Sequence, residues 1–252
     1  STIGARLAAI AGDDWVAVPE GPARERESAT AAAMAEGARF VWNAALPLDT
    51  EGGRLGEADL LVRAERGGYR PVIVVRHRVT DAGSGALTSP FGVLDVERAA
   101  TDPQRRSRSQ TRDQLRLAHL TRMLQATGHA VEADTSLGGV IGLDADVVLW
   151  HNLSAPSWPG GRSTLQEYDA RFADRLAVAK AAAHGLPALA EPSRVTECRR
   201  CPWWPTCSEV LTEREDVSLV LRGEDAFALR DAGIRTVADL AQLKARCADI
   251  GL

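Results

Sequence analysis

Hydrophobic and polar residues alternate with two different periods along this chain, which predicts a mixture of strands and helices. Short runs rich in β-branched and aliphatic residues, bounded by turn-forming residues, are typical of strands. Such runs occupy residues 40–46, 57–63, 69–79 and 139–153, the last interpreted as a hairpin around Asp144 and Ala145. The Gly-Gly pair before residue 69 favours a hairpin turn between the second and third runs.

Four stretches have the spacing of helices. A capping-box pattern at Ser163 and Gln166 predicts the start of the longest helix, and Gly185 predicts its end. The other helical stretches are, in chain order, residues 28–38, 111–127 and 223–243, the last divided by a Gly-Ile turn. Residues 80–103 are rich in Gly, Ser, Pro and Asp, and we expect a loop there.

The order of these elements predicts an α/β or α+β fold, with a mixed central sheet flanked by helices. We expect one domain over residues 1–215 and a small helical tail over residues 216–252. The chain of 252 residues is 45% hydrophobic and 25% charged, which is ordinary for a globular protein. Its net charge of −4 indicates that any anion-binding face is local.

The hydrophobic runs are too short for a membrane protein. None approaches the roughly 20 apolar residues of a membrane-spanning helix, and no signal-peptide pattern is visible. The sequence therefore predicts a cytoplasmic protein without a membrane partner.

Three of the four cysteines lie close together in the stretch TECRRCPWWPTC. Cys198, Cys201 and Cys207 form a C-x2-C-x5-C pattern, which is more typical of metal binding than of disulfides. Thiolates bind zinc or iron–sulfur clusters. A lone triplet favours a [4Fe–4S] cluster whose fourth ligand is distant, either Cys247 or a cysteine upstream of Ser1. A zinc site completed by a histidine and three free buried thiols are the alternatives.

Taken together, these segments resemble the iron–sulfur-containing branch of the RecB-like PD-(D/E)XK nucleases, which includes CRISPR-associated exonucleases and helicase-linked nucleases. The resemblance implies a restriction-endonuclease-like core whose two ends are tied together by the cluster. The tail resembles a helix–hairpin–helix module. The most specific matches are GEADLLVR at 56–63, YRPVIVVRHR at 69–78, LRLAHLTRML at 115–124 and the cysteines.

The resemblance also implies an active site, but the residues depart from its pattern. In the family, an Asp on one strand and a D/E-x-K motif on the next bind Mg²⁺ or Mn²⁺, which activates a water. Asp59 stands at the first position, with Glu57 beside it. The second motif reads Val74-Val75-Arg76, and an always-protonated arginine is a poor activator of water. Asp59, Glu57 and Arg76 are therefore the expected, degenerate catalytic set, with Mg²⁺ or Mn²⁺ at Asp59 if cleavage is retained.

Residues 105–122 contain six arginines and one acidic residue. Arginines bind phosphates of any nucleotide sequence through counterion release, although a run of charges is more often simply a solvated surface. Arg116 stands where the family has the glutamine of a Gln-x3-Tyr motif that contacts DNA. The predicted DNA-binding residues are Arg105, Arg106, Arg108, Arg112 and Arg116.

Three functions remain open from the sequence. The first is a DNA-binding or DNA-processing protein, with a role such as repair, on a RecB-like scaffold stabilised by a [4Fe–4S] cluster, whose cleavage is weak or lost. The second is an active Mg²⁺- or Mn²⁺-dependent DNA exonuclease that uses Asp59. The third is a structural module that partners a helicase. In the first two, the expected partner is DNA that is single-stranded or has ends.

Overall fold

The structure, a computed structural model, describes residues 3–249 except 109, 134, 145 and 190, with side chains described up to residue 243. It has an α+β architecture with a large mixed sheet flanked by helices, as the sequence predicts. The described residues form two compact units, Ser1–Ala173 and Asp174–Leu252. The sequence predicts a domain boundary after residue 215. That boundary stays a prediction, because compact units in the structure do not test which parts of the chain fold independently.

The described part of the chain contains ten strands. In chain order they are β1 (Trp15–Ala17), β2 (Phe40–Ala45), β3 (Glu57–Arg63), β4 (Tyr69–Val74), β5 (Thr80–Ala82), β6 (Ala86–Pro90), β7 (Ala100–Asp102), β8 (Arg105–Ser107), β9 (Leu137–Ile141) and β10 (Val147–Asn152). Eight of them form one sheet in the order β1-β2-β3-β4-β9-β10-β6-β7, while β5 and β8 form a separate two-stranded ribbon. The pairs β1–β2 and β4–β9 are parallel, and the other pairs are antiparallel.

Seven α-helices accompany these strands among the described residues. They are α1 (Ile3–Ala11), α2 (Ala23–Ala35), α3 (Thr111–Ala126), α4 (Thr164–Ala183), α5 (Trp204–Glu213), α6 (Glu224–Asp231) and α7 (Val237–Asp249). Short 3₁₀ turns, such as Thr196–Arg200, connect some of the elements. None of the described helices is both long enough and apolar enough to cross a membrane.

Both faces of the large sheet are buried. On one face, sheet residues such as Leu61 and Ile73 pack in a common core with α3 residues such as Leu120. On the other face, Leu60 and Val72 pack in a second core with α1. Because side chains alternate between the faces of a strand, the central run Leu60-Leu61-Val62 contributes to both cores. This explains why β3 is continuously apolar at its centre rather than alternating with polar residues.

Several elements form where the sequence predicts them. Strand β3 has the predicted bounds, α3 ends one residue before the predicted end, and the hairpin of β9 and β10 forms around Asp144. The capping box at the start of α4 also forms. The Ser163 N–H donates to the Gln166 side chain at 2.9 Å, and the Gln166 N–H donates to the Ser163 hydroxyl at 3.2 Å.

Two predictions about β structure are wrong. The strand predicted over residues 69–79 ends at Val74, because the following segment leaves the sheet. Residues 80–103 are not one loop, since β5, β6 and β7 lie within them. Strand β6 is short and polar, but Ser89 is fully buried and accepts a hydrogen bond from the Trp150 indole at 2.9 Å. That distant partner makes a polar strand stable inside the sheet, and local sequence does not reveal it.

The core on the α3 face gives a direct test of the fold. Leu61 is fully buried at the centre of β3, whereas Leu55 is 65% exposed just before it. We expect Leu61→Ala to lower the free energy of unfolding by about 2–5 kcal/mol, because it removes transfer energy and leaves a cavity. Leu55→Ala, the matched control, is expected to change it by less than about 0.5 kcal/mol. Urea unfolding followed by near-UV circular dichroism measures both, and equal losses would contradict this packing.

Candidate nucleic-acid interface and cysteine triplet

Asp59 lies on β3 at the point where β3 and β4 separate. The register pairs Leu60 with Val72, so the N–H of Val74 lies beyond the last backbone pair. The carboxylate of Asp59 accepts a hydrogen bond from that N–H at 2.9 Å. The same oxygen lies 3.1 Å from a guanidinium nitrogen of Arg116 on α3. Asp59 therefore joins two strands and a helix through a single carboxylate oxygen.

Glu57, the other predicted catalytic carboxylate, is also paired with an arginine. Its Oε1 lies 2.5 Å from Nη1 of Arg26 on α2, whose side chain is only 11% exposed. The other terminal nitrogen of Arg26 donates to the main-chain and side-chain oxygens of Asn43, both at 3.1 Å. Asn43 has a positive φ of 55°, a conformation that asparagine tolerates better than most residues. The left-handed conformation brings both oxygens of Asn43 to the same guanidinium.

The predicted catalytic residues thus do not form a group of free carboxylates. Both acids face a guanidinium, and the position of the second metal ligand, Val74, offers only an N–H. Arg76 is exposed in a bend beyond the end of β4. Within the described residues, no group of three or more His, Cys, Asp and Glu side chains is arranged to hold a metal ion.

His119 on α3 is engaged on both ring nitrogens. Its Nε2 lies 3.0 Å from the carbonyl oxygen of Leu55, and its Nδ1 lies 2.7 Å from the hydroxyl of Tyr168. A carbonyl can only accept, so Nε2 carries a proton and donates it to Leu55, while Nδ1 shares a hydrogen bond with the Tyr168 hydroxyl. Arg54 in turn donates to the Tyr168 oxygen at 3.3 Å. This network uses His119 to position α3 and leaves it no lone pair for a metal.

A second group of contacts fixes the segment between β4 and β5. Nε2 of His77 lies 2.8 Å from the carboxylate of Asp113, which is buried in the first turn of α3. The carbonyl of His77 accepts a hydrogen bond from the N–H of Leu143 at 2.9 Å. Arg76 and Arg78, on either side of His77, are exposed. The segment is therefore held at its centre while its arginines extend into solvent.

Asp144 anchors the far end of this segment. Its carboxylate accepts hydrogen bonds from the N–H of Val79 at 3.0 Å, from the N–H of Thr80 at 2.9 Å, and from the Thr80 hydroxyl. Burial by itself would raise the pKa of Asp144, but these hydrogen bonds outweigh it, and the pKa lies below its ordinary value. The charged form of Asp144 is therefore favoured by the folded state.

The β5–β8 ribbon separates the predicted DNA-binding arginines. The register places Arg106 opposite Asp81 and Arg105 opposite Ala82. Because neighbouring residues of a strand point to opposite faces, Arg106 and Arg108 share the face of Asp81. Arg108 lies 2.8 Å from the Asp81 carboxylate and lowers the pKa of Asp81, whereas Arg106 is 4.0 Å from it.

Arg105 lies on the other face of the ribbon. It contacts Asp146 at 2.5 Å and Asp102 at 3.7 Å. Arg116 is paired with Asp59, while Arg112 is exposed and forms no ion pair with a described carboxylate. The five predicted DNA-binding arginines thus differ in whether their charges are already paired with acids of the protein. Most of the acidic partners come from distant strands and turns, so no local pattern in the sequence identifies them.

The cysteine triplet lies in the second compact unit. Cys198 is within the 3₁₀ turn Thr196–Arg200, Cys201 follows it, and Cys207 is in α5. All three are free, partly exposed thiols, and Cys198 Sγ accepts a hydrogen bond from the N–H of Val195 at 3.3 Å. The sulfur donors are of the right kind for iron or zinc. However, the described side chains do not gather into a group that could hold a metal, and the Cys247 side chain lies outside those described.

Comparison with protein-family models, with curated proteins and with solved structures finds no match to this chain.

The hydrogen bonds to Asp144 predict a dependence of stability on pH. The folded-state pKa lies below the ordinary value of about 3.9. The contribution to stability is therefore complete above that value and is lost as the pH falls through the folded-state pKa. We expect Asp144→Asn to cost about 1–3 kcal/mol at pH 7, because it weakens hydrogen bonds to a charged group. The difference from wild type should shrink below about pH 4.

Asp146→Asn provides the matched control. Asp146 is 62% exposed and forms one surface ion pair with Arg105, so its removal should cost less than about 1 kcal/mol. Urea unfolding between pH 3 and pH 7 measures both variants. A cost for Asp144→Asn that stays constant over this range would contradict the pKa shift.

Proposed function

We propose that this chain is a DNA-binding protein on a RecB-like, restriction-endonuclease-like scaffold in which cleavage is weak or lost. The observation that carries this proposal is the contact of Asp59 with Arg116 and with the N–H of Val74. The carboxylate at the expected metal position already has a permanent cation as its partner. The residue at the second position, Val74, supplies a donor rather than a ligand.

Charge and coordination chemistry explain why this arrangement disfavours a metal. Mg²⁺ requires near-octahedral oxygen ligands at short distances. Arginine remains protonated at any physiological pH, so Arg116 cannot lose its positive charge. A divalent ion at Asp59 would have to displace that guanidinium, and the second arginine, Arg26, already neutralises Glu57. Both carboxylates are thus already engaged by guanidiniums, which disfavours the metal ion that hydrolysis would require.

The binding part of the proposal is supported by guanidiniums that the protein does not neutralise. Arg112 is exposed without an ion pair to a described carboxylate, and Arg106 is 66% exposed and lies 4.0 Å from the carboxylate of Asp81. Contacts of this kind bind nucleic acid with little dependence on base sequence, because they release counterions from the phosphates. The chain as a whole carries a net charge of −4, so affinity must come from such local groups.

We further propose that Cys198, Cys201 and Cys207 hold a structural [4Fe–4S] cluster, with zinc as the alternative. The fourth ligand would be Cys247 or a cysteine upstream of Ser1. Support comes from the C-x2-C-x5-C spacing and from the N–H of Val195, which points at Cys198 Sγ as amides do toward cluster thiolates. The cluster would stabilise this part of the chain and would take no part in cleavage.

Binding and cleavage can be measured in one experiment. The protein is titrated into labelled single-stranded, double-stranded and branched DNA at several salt concentrations, and the same DNA is incubated with Mg²⁺ or Mn²⁺. We expect affinity to fall steeply as salt rises, with a slope of about 0.7–0.9 per phosphate contact. We expect the wild type to degrade DNA in the presence of metal no faster than the Asp59→Asn variant does. This variant keeps a side-chain oxygen that can accept the hydrogen bond from the N–H of Val74.

Each alternative function has a distinct signature in that experiment. Metal-dependent degradation that disappears in Asp59→Asn would establish the exonuclease. Absence of salt-dependent binding would remove the DNA-binding function. A pull-down that recovers a helicase without DNA would then favour the interaction module.

The cluster is tested by its metal content. Protein purified without oxygen is expected to be brown and to contain about four irons and four sulfides per chain, the composition of a [4Fe–4S] cluster. Cys201→Ser should lose the colour and lower the unfolding temperature, because it removes one ligand. Ser208→Ala, next to Cys207, removes only a solvent-exposed hydrogen bond to the Pro205 carbonyl, so it should keep the colour and change the unfolding temperature little. A colourless protein with one zinc per chain would overturn the cluster.

A further inference from the structure

We infer that the phosphates of DNA are bound by one composite surface formed by Arg76, Arg78, Arg106 and Arg112, which we call the arginine surface. This inference rests on the proposed DNA-binding function and identifies where and how that binding occurs. Arg78 was not among the residues that the sequence singled out, and Arg76 was expected to serve catalysis. Arg105 and Arg116, by contrast, are held in ion pairs within the fold.

Three segments that are separate in sequence come together at this surface. The contact of His77 with Asp113 joins the segment after β4 to the first turn of α3, and Arg112 lies next to Asp113. The β8 strand joins the same segment, since the N–H of Arg108 donates to the carbonyl of Val79 at 2.8 Å. The arginines of all three segments are therefore brought to one region.

The electrostatics of Asp81 supports this proximity independently. Arg108, Arg106 and Arg78 each lower the pKa of the Asp81 carboxylate, in decreasing order of contribution. All three guanidiniums are therefore close enough to act on the same group. Two members of the arginine surface, Arg78 and Arg106, therefore lie near Asp81, whose direct ion-pair partner is Arg108.

The acidic residues of this region are already engaged. Asp81 is paired with Arg108, Asp113 with His77, and Asp144 with the backbone of Val79 and Thr80. Arg76, Arg78 and Arg112 are exposed, and none of them forms an ion pair with a described carboxylate. These three arginines therefore present charges that no direct contact compensates, and Arg106 adds a charge whose neighbour, Asp81, is paired more closely with Arg108.

The surrounding side chains indicate which part of DNA is recognised. The exposed large hydrophobic residues among the described side chains include two aromatic ones, Trp203 and Phe227, and both lie in the second compact unit. Proteins that bind single strands stack bases on exposed aromatic rings. None of the described side chains of the first compact unit, which contains the arginine surface, is an exposed aromatic ring, so this surface is by itself suited to phosphates alone. We therefore expect binding without base specificity, and at least as strong to duplex as to single-stranded DNA of equal length.

Charge-matched variants test this inference. Arg78→Gln/Arg112→Gln removes two charges from the arginine surface. Arg66→Gln/Arg98→Gln removes two from exposed positions elsewhere, Arg66 being in the turn at the opposite end of β4. For the first variant we expect the slope of log K against log salt to fall by about 2, one per lost phosphate contact, whatever the DNA sequence. The second variant should keep the wild-type slope, and all these side chains are exposed, so unfolding midpoints should be unchanged.

The outcomes separate this inference from the proposed function. If wild type shows no salt-dependent binding, the proposed function falls. If wild type binds and the two double variants have equal slopes, DNA binding stands but the arginine surface is overturned. Much tighter binding of single strands than of duplex would also overturn it, because that preference requires base stacking. Single variants of Arg78 and Arg112, each expected to lower the slope by about 1, provide a second measurement.

Discussion

The carboxylate of Asp59 determines how the sheet and helix α3 meet in this protein. At the place where β3 and β4 part, an N–H of Val74 loses its strand partner, and a buried or half-buried backbone donor needs a replacement acceptor. Asp59 supplies that acceptor, and Arg116 balances its charge from α3. Both carboxylates of the expected metal site are paired to arginines. They therefore connect secondary-structure elements instead of offering free ligands to a cation.

The same principle organises the segment that follows β4. His77 and Asp144 connect the segment beyond β4 to α3, β5 and the β9–β10 turn through bonds to charged groups. Hydrogen bonds to charged groups are stronger than neutral ones, so a few of them can hold an irregular segment in place. The fixed segment then carries Arg76 and Arg78 outward. Acids from α3 and from the β9–β10 turn thus hold this segment, and its own arginines remain available to a partner.

The second compact unit has a separate set of constraints. Asp216 and Arg230 form an ion pair at 2.6 Å, and both side chains are nearly buried. Arg194 adds hydrogen bonds to Ser218 and Leu219. The helical tail is therefore held by its own contacts, and the cysteine triplet lies in the same unit. A cluster at the triplet would add stability to this unit without altering the pairs around Asp59.

Local patterns in the sequence determined much of this fold. The apolar run of β3, the leucines of α3 and the capping box of α4 specify their elements, because strand and helix periods and caps depend on near neighbours in the chain. Against the nuclease pattern that the sequence resembles, the absence of an acid at Val74 and of a lysine at Arg76 was also visible in the sequence.

Only the tertiary structure decided which charges are free. Arg105 and Arg106 are adjacent in sequence, yet the ribbon register sends one to Asp146 and leaves the other largely exposed. Arg116 meets Asp59 across 57 positions of sequence, a pairing that the antiparallel strands and the position of α3 create. An ion pair depends on distances of a few ångströms between distant segments, whereas sequence patterns report only on neighbours.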